Sequence, residues 1–214
     1  YRESISHFKD VRLLADCPGC DPNISCDPNR MAGVYNLNPP TIVGNGREPV
    51  VQIGGFGIRA TFDGFAVSNG GGRLGCGLNV GGNALVCNNY VTGNRTVDLG
   101  FALGGVCGGG ACGAGIAVSG TATLQNNTVI GNAAVGGLGG GIAVLGGTPI
   151  ITRNEIRGNA AQIAADGFYG YGGGIALAGG APIVTSNIIA GNRADQGGGG
   201  LDVYESLASI AGNT

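Results

Sequence analysis

Short stretches in which apolar and polar residues alternate recur along the second half of the chain. Four segments superpose, beginning at Gly75, Gly113, Gly139 and Gly172, and a fifth begins at Gly198. Each full segment contains three strand-like pieces with a period of two. Because such repeats are typical of solenoids, in which each coil stacks on the next, the pattern predicts an all-β parallel β-helix with three short strands per coil.

The inward positions of the three strands form aliphatic columns when the segments are aligned. In the first strand these are Leu78, Ile116, Ile142, Ile175 and Leu201, followed two residues later by Val80, Val118, Val144, Leu177 and Val203. In the second strand they are Val86, Leu124, Ile151 and Val184, and in the third Val91, Val129, Ile156 and Ile189. Coils stacked about 4.8 Å apart would make these columns a continuous core.

Asparagines recur at two fixed places in every segment, five residues apart. The first set is Asn89, Asn127, Asn154 and Asn187, and the second is Asn94, Asn132, Asn159 and Asn192. Asparagine tolerates the left-handed backbone of a tight corner, and stacked amides bond to one another along a fibre axis. We therefore predict that both sets are corner residues that form structural ladders.

The spacing within each full segment is nearly constant, and the larger differences in length fall between the end of one segment and the Gly-rich start of the next. The whole chain, residues 1–214, is therefore read as one solenoid domain, with early coils in 1–74, a cysteine-rich loop in 16–30 and regular repeats in 75–214. The sequence stops inside a repeat, at Asn213-Thr214. This favours a fragment of a longer solenoid; the alternative is a chain whose ends pair with neighbouring copies.

The composition restricts the classes of partner. The chain has 47 glycines, 11% charged residues and a net charge of −2, without a basic block that would neutralise phosphates. Nucleic-acid binding is therefore not expected. No run of eighteen apolar residues occurs, so no helical membrane span is expected.

Seven cysteines indicate an oxidising compartment, because disulfides persist in secreted proteins. The candidates for disulfides are Cys17, Cys20, Cys26, Cys76, Cys87, Cys107 and Cys112. The competing interpretation is a zinc site at Cys17-x-x-Cys20. That site lacks a second such pair, and His7 is the only histidine. Disulfides are therefore favoured, and the odd count leaves one thiol free or bonded outside this segment.

The repeat GGGIxV…PxIxxNxIxGN resembles the right-handed parallel β-helix repeat of the pectate-lyase-like superfamily, which is common in bacterial extracellular proteins. The opening YRESISHFKDVRLLAD and the stretches TIVGNGREPVVQI and IRATFDGFAVSNG resemble the first coils of that family. The resemblance covers nearly the whole chain. It implies a right-handed helix and a secreted or surface location, but the superfamily contains lyases, hydrolases, adhesins and non-enzymatic proteins. Its enzymes typically use grouped carboxylates on the outer face, with calcium in the lyases.

Few outward positions of this chain carry groups suited to catalysis. Glu155 stands between Arg153 and Arg157 on the third strand, and a surface ion pair is the simpler explanation. Asp63 is expected to be a turn residue. The first strand's outward column, Asn79, Ala117, Ala143, Ala176 and Asp202, is expected to be inert.

Three other features are candidates for binding. The corner insertion QIAADGFYGYGGG carries Asp166, Phe168, Tyr169 and Tyr171, whose rings would either stack on sugars or fold over the coil beneath. The second strand's outward column, Leu85, Thr123, Ile150 and Ile183, is apolar and suggests either a packing surface or a face that the corner loops cover. Asp16, Asp21, Asp27, Asn23 and Asn29 in the cysteine-rich loop would be the ligands of any calcium ion, although a solvated loop is favoured.

The sequence therefore predicts an extracellular non-catalytic scaffold of the surface or adhesin type, or one that forms filaments through end-to-end or lateral self-association. The alternatives are a polysaccharide-active enzyme, a lyase or glycoside hydrolase, and a carbohydrate-binding module on the same fold. No cofactor is expected apart from the calcium just considered. The partners expected are further copies of the chain, a surface partner or a glycan.

Overall fold

The computed structural model describes residues 5–7, 11–14, 26, 39–54, 59–96, 111–165, 167 and 170–214. The strands before residue 100 are β1 (Ile5–His7), β2 (Val11–Leu14), β3 (Thr41–Val43), β4 (Val51–Ile53), β5 (Ala60–Asp63), β6 (Ala66–Ser68), β7 (Leu78–Val80), β8 (Leu85–Cys87) and β9 (Tyr90–Thr92). These strands are three or four residues long, which matches the short alternating stretches of the sequence.

The remaining strands follow at closer intervals. They are β10 (Ala111–Cys112), β11 (Ile116–Val118), β12 (Thr123–Gln125), β13 (Thr128–Ile130), β14 (Ala133–Val135), β15 (Gly137–Leu138), β16 (Ile142–Val144), β17 (Ile150–Thr152), β18 (Glu155–Arg157), β19 (Ala160–Gln162), β20 (Gly170–Tyr171), β21 (Ile175–Ala178), β22 (Ile183–Thr185), β23 (Ile188–Ala190), β24 (Arg193–Ala194), β25 (Leu201–Tyr204) and β26 (Ser209–Ala211).

Three long parallel sheets run the length of the molecule. The first sheet has the order β1-β4-β7-β11-β16-β21-β25, the middle sheet β2-β5-β8-β12-β17-β22-β26 and the third sheet β3-β6-β9-β13-β18-β23. Corresponding repeat positions pair directly, as Ile116 does with Leu78 and Ile142. The chain visits the three sheets in turn, so the fold is the predicted right-handed parallel β-helix.

The corner insertions are more ordered than the sequence suggested. They form two additional three-stranded parallel sheets, β10-β15-β20 and β14-β19-β24. The expectation of three strands per coil therefore holds for the early coils, and the coils with insertions contain up to five. The described part of the chain contains no helix long and apolar enough to cross a lipid bilayer.

The predicted aliphatic columns fill the interior. From Leu78 to Leu177 the inward residues of the first sheet are at most 1% exposed, and the inward residues of the middle and third sheets are equally buried as far as Val184 and Ile156. Leu201 and Val203 of the final coil are more exposed. Each buried side chain of this size contributes about 1.5–3 kcal/mol, so the stacked columns account for most of the apolar stabilisation.

The glycines in the corner before the first sheet are required because a side chain would clash with neighbouring backbone and, at some positions, because φ is positive. Gly139 has φ +67°, and a Cβ there would lie 2.3 Å from the carbonyl oxygen of Ile142. A Cβ on Gly141 would lie 2.6 Å from the carbonyl oxygen of Gly174 in the next coil and 3.0 Å from Asn159 Nδ2. The glycine corner can therefore pack against the asparagine corner only without side chains.

The outward column of the first sheet is covered at its alanines. Ala117, Ala143 and Ala176 are at most 2% exposed. A Cβ on Gly172, in the corner that follows β20, would lie 2.7 Å from the Cβ of Ala176. The glycine corner thus folds over this face, and only a small residue such as alanine fits beneath it.

Candidate functional site

Two asparagine ladders run through the corners and connect every coil from Asn89 onward. The Nδ2 of each ladder asparagine donates to the Oδ1 of the next, at 3.0 Å from Asn89 to Asn127 and from Asn127 to Asn154. The backbone N–H of the same residue donates to the same oxygen, at 2.9 Å for Asn127. The first ladder consists of Asn89, Asn127, Asn154, Asn187 and Asn213, and the second of Asn94, Asn132, Asn159 and Asn192.

The ladder side chains are buried and fully used in the middle of the solenoid. Asn127 and Asn154 are 1% exposed, and their Nδ2 atoms also donate to the carbonyls of Val86 and Leu124 in the preceding coil. Buried amides are stable only when their donors and acceptors are paired. The ladders are therefore structural elements, and the corners between the middle and third sheets have no spare polar groups from these residues.

The left-handed corner residue lies one position earlier than predicted. The ladder asparagines are not among the residues with positive φ, whereas Asn88, Asn126, Arg153 and Ser186 have φ between 54° and 58°. Before the second ladder this conformation is supplied by glycine, as at Gly131 and Gly158. The sequence does not show which residue of the pair Asn126-Asn127 has the left-handed conformation and which belongs to the ladder, because either asparagine fits a bend.

Glu155 forms an ion pair with Arg157 on the outward face of β18, and both side chains are substantially exposed. Arg153 lies at the preceding corner, and its Nε donates to Asn126 Oδ1 at 3.3 Å. The structure thus separates the three residues into one pair along a strand and one contact between coils. Exposed pairs of this kind contribute at most about 1 kcal/mol.

Other carboxylates hold the backbone in place. Asp195 pairs with Arg193 at 2.7 Å and accepts the N–H of Ile163, in the preceding coil, at 3.0 Å. Asp202 accepts the N–H of Gly198 at 3.0 Å. Both residues therefore fix corner loops.

The expectation that Asp63 is a turn residue is wrong. It ends strand β5, is 0% exposed, and accepts the Nδ2 of Asn88 at 2.7 Å and the N–H of Cys26 at 3.0 Å. Cys87 is its partner in the next coil of the middle sheet. The only signal in the sequence was this alignment of Asp63 with a cysteine, and it does not show what would cover the carboxylate.

The disulfide interpretation holds for three of the predicted cysteines. Cys26 is bonded to Cys87 across 61 residues, and Cys112 is also disulfide-bonded. Cys76 is a free, buried thiol, and desolvation raises its pKa to about 12. Cys17, Cys20 and Cys107 lie outside the described residues, as do the proposed calcium ligands Asp16, Asp21, Asp27, Asn23 and Asn29.

The aromatic insertion is described only in part. Tyr171 lies half-buried in β20, and a Cβ on Gly197 would be 2.4 Å from its ring. Asp166, Phe168 and Tyr169 lie outside the described residues, and so does the side chain of His7. Within the described ranges no group of three or more His, Cys, Asp or Glu side chains is arranged for a metal ion.

The exposed apolar surface lies on the outside of the last coils. Ile150 and Ile183 of the middle sheet are neighbours in register and are 38% and 42% exposed. Ile188 of the third sheet is 41% exposed, whereas Leu85 and Thr123 are half-buried. We call Ile150, Ile183 and Ile188 the isoleucine face.

In comparisons with known proteins the chain matches no family model, no curated protein and no solved structure.

Proposed function

We propose that this chain is a non-catalytic scaffold of an extracellular protein, and that it is related to the bacterial β-helix proteins of the pectate-lyase-like superfamily. In this proposal, the coils provide a rigid rod, and the outward faces make contacts with a surface or with further copies of the chain. The Cys26–Cys87 disulfide supports an oxidising location, because such bonds persist outside the cytosol.

The observation that carries the proposal is how the polar side chains are used. The ladder asparagines bond coil to coil, and the carboxylates of Asp63, Asp195 and Asp202 accept backbone N–H groups. The ladder asparagines thus serve the stacking of the coils, and these three carboxylates hold the backbone. A catalytic face instead needs carboxylates aimed at a substrate, two of them about 5–10 Å apart for glycoside hydrolysis.

The isoleucine face is the region that we assign to contacts. Its residues are aliphatic, stand in adjacent coils and lie beside the Thr152–Thr185 contact, in which the two hydroxyl oxygens are 3.3 Å apart. The in-register pair Ile150–Ile183 of the middle sheet suits packing against another regular surface, and Ile188 stands on the neighbouring third sheet.

Electron microscopy and light scattering of the purified native chain test the self-association part of the proposal. Ordered assemblies are expected for the wild type. Their loss in Ile150→Glu/Ile183→Glu, with unchanged circular dichroism, would assign the contact to the isoleucine face, whereas their persistence would assign it to the ends. Monomers of the wild type at high concentration would contradict self-association.

The enzymatic and glycan-binding alternatives are tested separately. Calcium-dependent cleavage of acidic polysaccharides that is abolished by Glu155→Gln would overturn the non-catalytic proposal. Glycan binding that is lost in Tyr169→Ala or Tyr171→Ala, with the fold retained, would instead define a carbohydrate-binding module.

A further inference from the structure

The sequence contains two dipeptides in which asparagine precedes glycine, Asn45-Gly46 and Asn69-Gly70. Both lie at the corner between the third and first sheets, in successive coils, and the N–H of Gly46 donates to the carbonyl oxygen of Asn69 at 2.9 Å. In such a dipeptide the backbone nitrogen of glycine can attack the asparagine side chain, because glycine carries no side chain that hinders the approach. The two dipeptides differ in the contacts that hold them.

Asn45 is exposed, and its side-chain oxygen is held by two backbone donors. The Oδ1 atom accepts the N–H of Arg47 at 2.9 Å and the N–H of Glu48 at 3.3 Å. Attack on the neighbouring Cγ would place negative charge on this oxygen, and two N–H groups directed at it stabilise such a charge, as in an oxyanion hole. The backbone is also accessible, because a Cβ on Gly46 would meet, apart from its chain neighbours, no atom closer than Asn69 Oδ1 at 3.9 Å. Ring closure between Asn45 and Gly46 is therefore favoured.

Asn69-Gly70 is held by bonds to the neighbouring coils. The Nδ2 of Asn69, the atom that would have to leave as ammonia, donates to the carbonyl oxygen of Gly44 at 2.7 Å. The N–H of Gly70 donates to Asn94 Oδ1 of the second ladder at 2.9 Å, and Gly70 is buried. Reaction at Asn69 thus requires two bonds to open, one of them in a buried ladder, and we expect the folded chain to protect this dipeptide.

We propose that Asn45 is a site of spontaneous deamidation, at which the folded corner converts asparagine to isoaspartate and aspartate. The reaction begins when the Gly46 N–H separates from the carbonyl oxygen of Asn69, which is a local opening of one hydrogen bond. The Gly46 nitrogen gives its proton to hydroxide or buffer and attacks Asn45 Cγ. A carbon–nitrogen bond closes a succinimide ring, the bond from Cγ to Nδ2 breaks, and the amide nitrogen takes up a proton and leaves as ammonia. Water then adds to either ring carbonyl and opens the ring.

The product alters both the charge and the backbone of the corner. Before the reaction the only charges in residues 45–48 are those of Arg47 and Glu48, which cancel, and the new carboxylate adds one negative charge at neutral pH. In isoaspartate the main chain also runs through the former side-chain carbon, so it gains one methylene group. The exposed corner is therefore modified with time, whereas the dipeptide that is bonded to the second ladder stays intact.

Peptide mapping by mass spectrometry of the full, disulfide-bonded chain, incubated at neutral pH, tests the proposal. Deamidation in the folded chain is expected to be at least about tenfold faster at Asn45 than at Asn69, because each additional net hydrogen bond changes an opening equilibrium by roughly two- to tenfold and the ladder bond is also buried. In urea, where neither dipeptide is held, the two rates should agree within about twofold, which makes Asn69 the matched internal control. A protein isoaspartate methyltransferase should methylate the aged chain, but not aged Asn45→Gln, in which the attack would have to close a larger ring.

Three results would overturn the proposal. Equal rates at Asn45 and Asn69 in the folded chain, whether both react or neither does, would show that the contacts of the corner do not decide the reaction. Formation of aspartate alone at Asn45 would show direct hydrolysis of the amide in place of ring closure. Methylation of aged Asn45→Gln at the wild-type level would place the isoaspartate at another residue.

Discussion

Replacement of Asn154 by alanine tests the ladder at its centre. The side chain of Asn154 makes four hydrogen bonds to neighbouring coils. Its Oδ1 accepts both the N–H and the Nδ2 of Asn127, at 2.9 and 3.0 Å, and its Nδ2 donates to Asn187 Oδ1 and to the carbonyl of Leu124, both at 3.0 Å. Alanine removes all four bonds and leaves the buried N–H of Asn127 without its acceptor.

The expected loss of stability follows from these contacts. A typical intramolecular hydrogen bond contributes about 0.5–1.5 kcal/mol net, and an unsatisfied buried donor costs about 1–3 kcal/mol. Four such bonds at about 1 kcal/mol each give a decrease of about 4 kcal/mol in the free energy of unfolding. Asn154→Asp has nearly the same shape but replaces the donor by a buried anionic oxygen, so we expect a loss at least as large.

Urea unfolding followed by circular dichroism measures the effect, with Asn79→Ala as the matched control. Asn79 lies in the outward column in which the following coils carry Ala117 and Ala143, so its replacement should change stability by less than about 0.5 kcal/mol. A common slope against urea is needed for the comparison. The reasoning would be refuted by an Asn154→Ala loss within 1 kcal/mol of the control (about the weight of one bond), or by wild-type stability of Asn154→Asp.

Three further predictions concern single positions. Gly141→Ala should lower the free energy of unfolding by several kcal/mol because its Cβ would meet Gly174 and Asn159. Gly54→Ala should be tolerated because its Cβ would lie 3.7 Å from the nearest atom, the backbone nitrogen of Gly81. Thermal unfolding of the two variants tests this difference. Ser186→Gly should raise the free energy of unfolding by about 1 kcal/mol because φ of Ser186 is 58°, a conformation that glycine adopts without strain. Ser209→Gly within β26 should lower the free energy of unfolding. Equal effects of the two substitutions in a urea titration would contradict the left-handed conformation of Ser186. Burial raises the pKa of the Cys76 thiol to about 12, so the thiol should stay protonated in the folded state where it ionises in the unfolded chain. Stability should therefore be constant below the ordinary thiol pKa of 9.0 and decrease from there to about pH 12. The decrease should be smaller in Cys76→Ala.

The repeat and its core could be predicted because they depend on local periodicity. Alternation in three residues, such as Ile150–Thr152, sets which side chains point inward, and the fixed spacing of Asn154 and Asn159 sets the corners. Both signals recur in every coil, so each copy supports the others.

The covering elements could not be predicted because they depend on contacts distant in sequence. Strands such as Ala133–Val135 and Gly137–Leu138 are short and rich in residues with low β propensity. They become strands only because the preceding and following coils present the same backbone in register. The hydrogen bond from the N–H of Cys26 to Asp63 likewise joins residues that are 37 positions apart in the sequence.

The ladders have a consequence for how such a rod can be extended or decorated. Successive asparagines of the first ladder are separated by 38, 27, 33 and 26 residues, yet the amide contacts between them stay at 2.9–3.0 Å. The ladder thus aligns each coil on the preceding coil, whatever the number of residues between the two asparagines. Foreign peptides inserted between β19 and β20, beyond the paired residues of β19, would therefore project at a known height and from one side. Coils spaced by about 4.8 Å would then set the interval between mounted ligands.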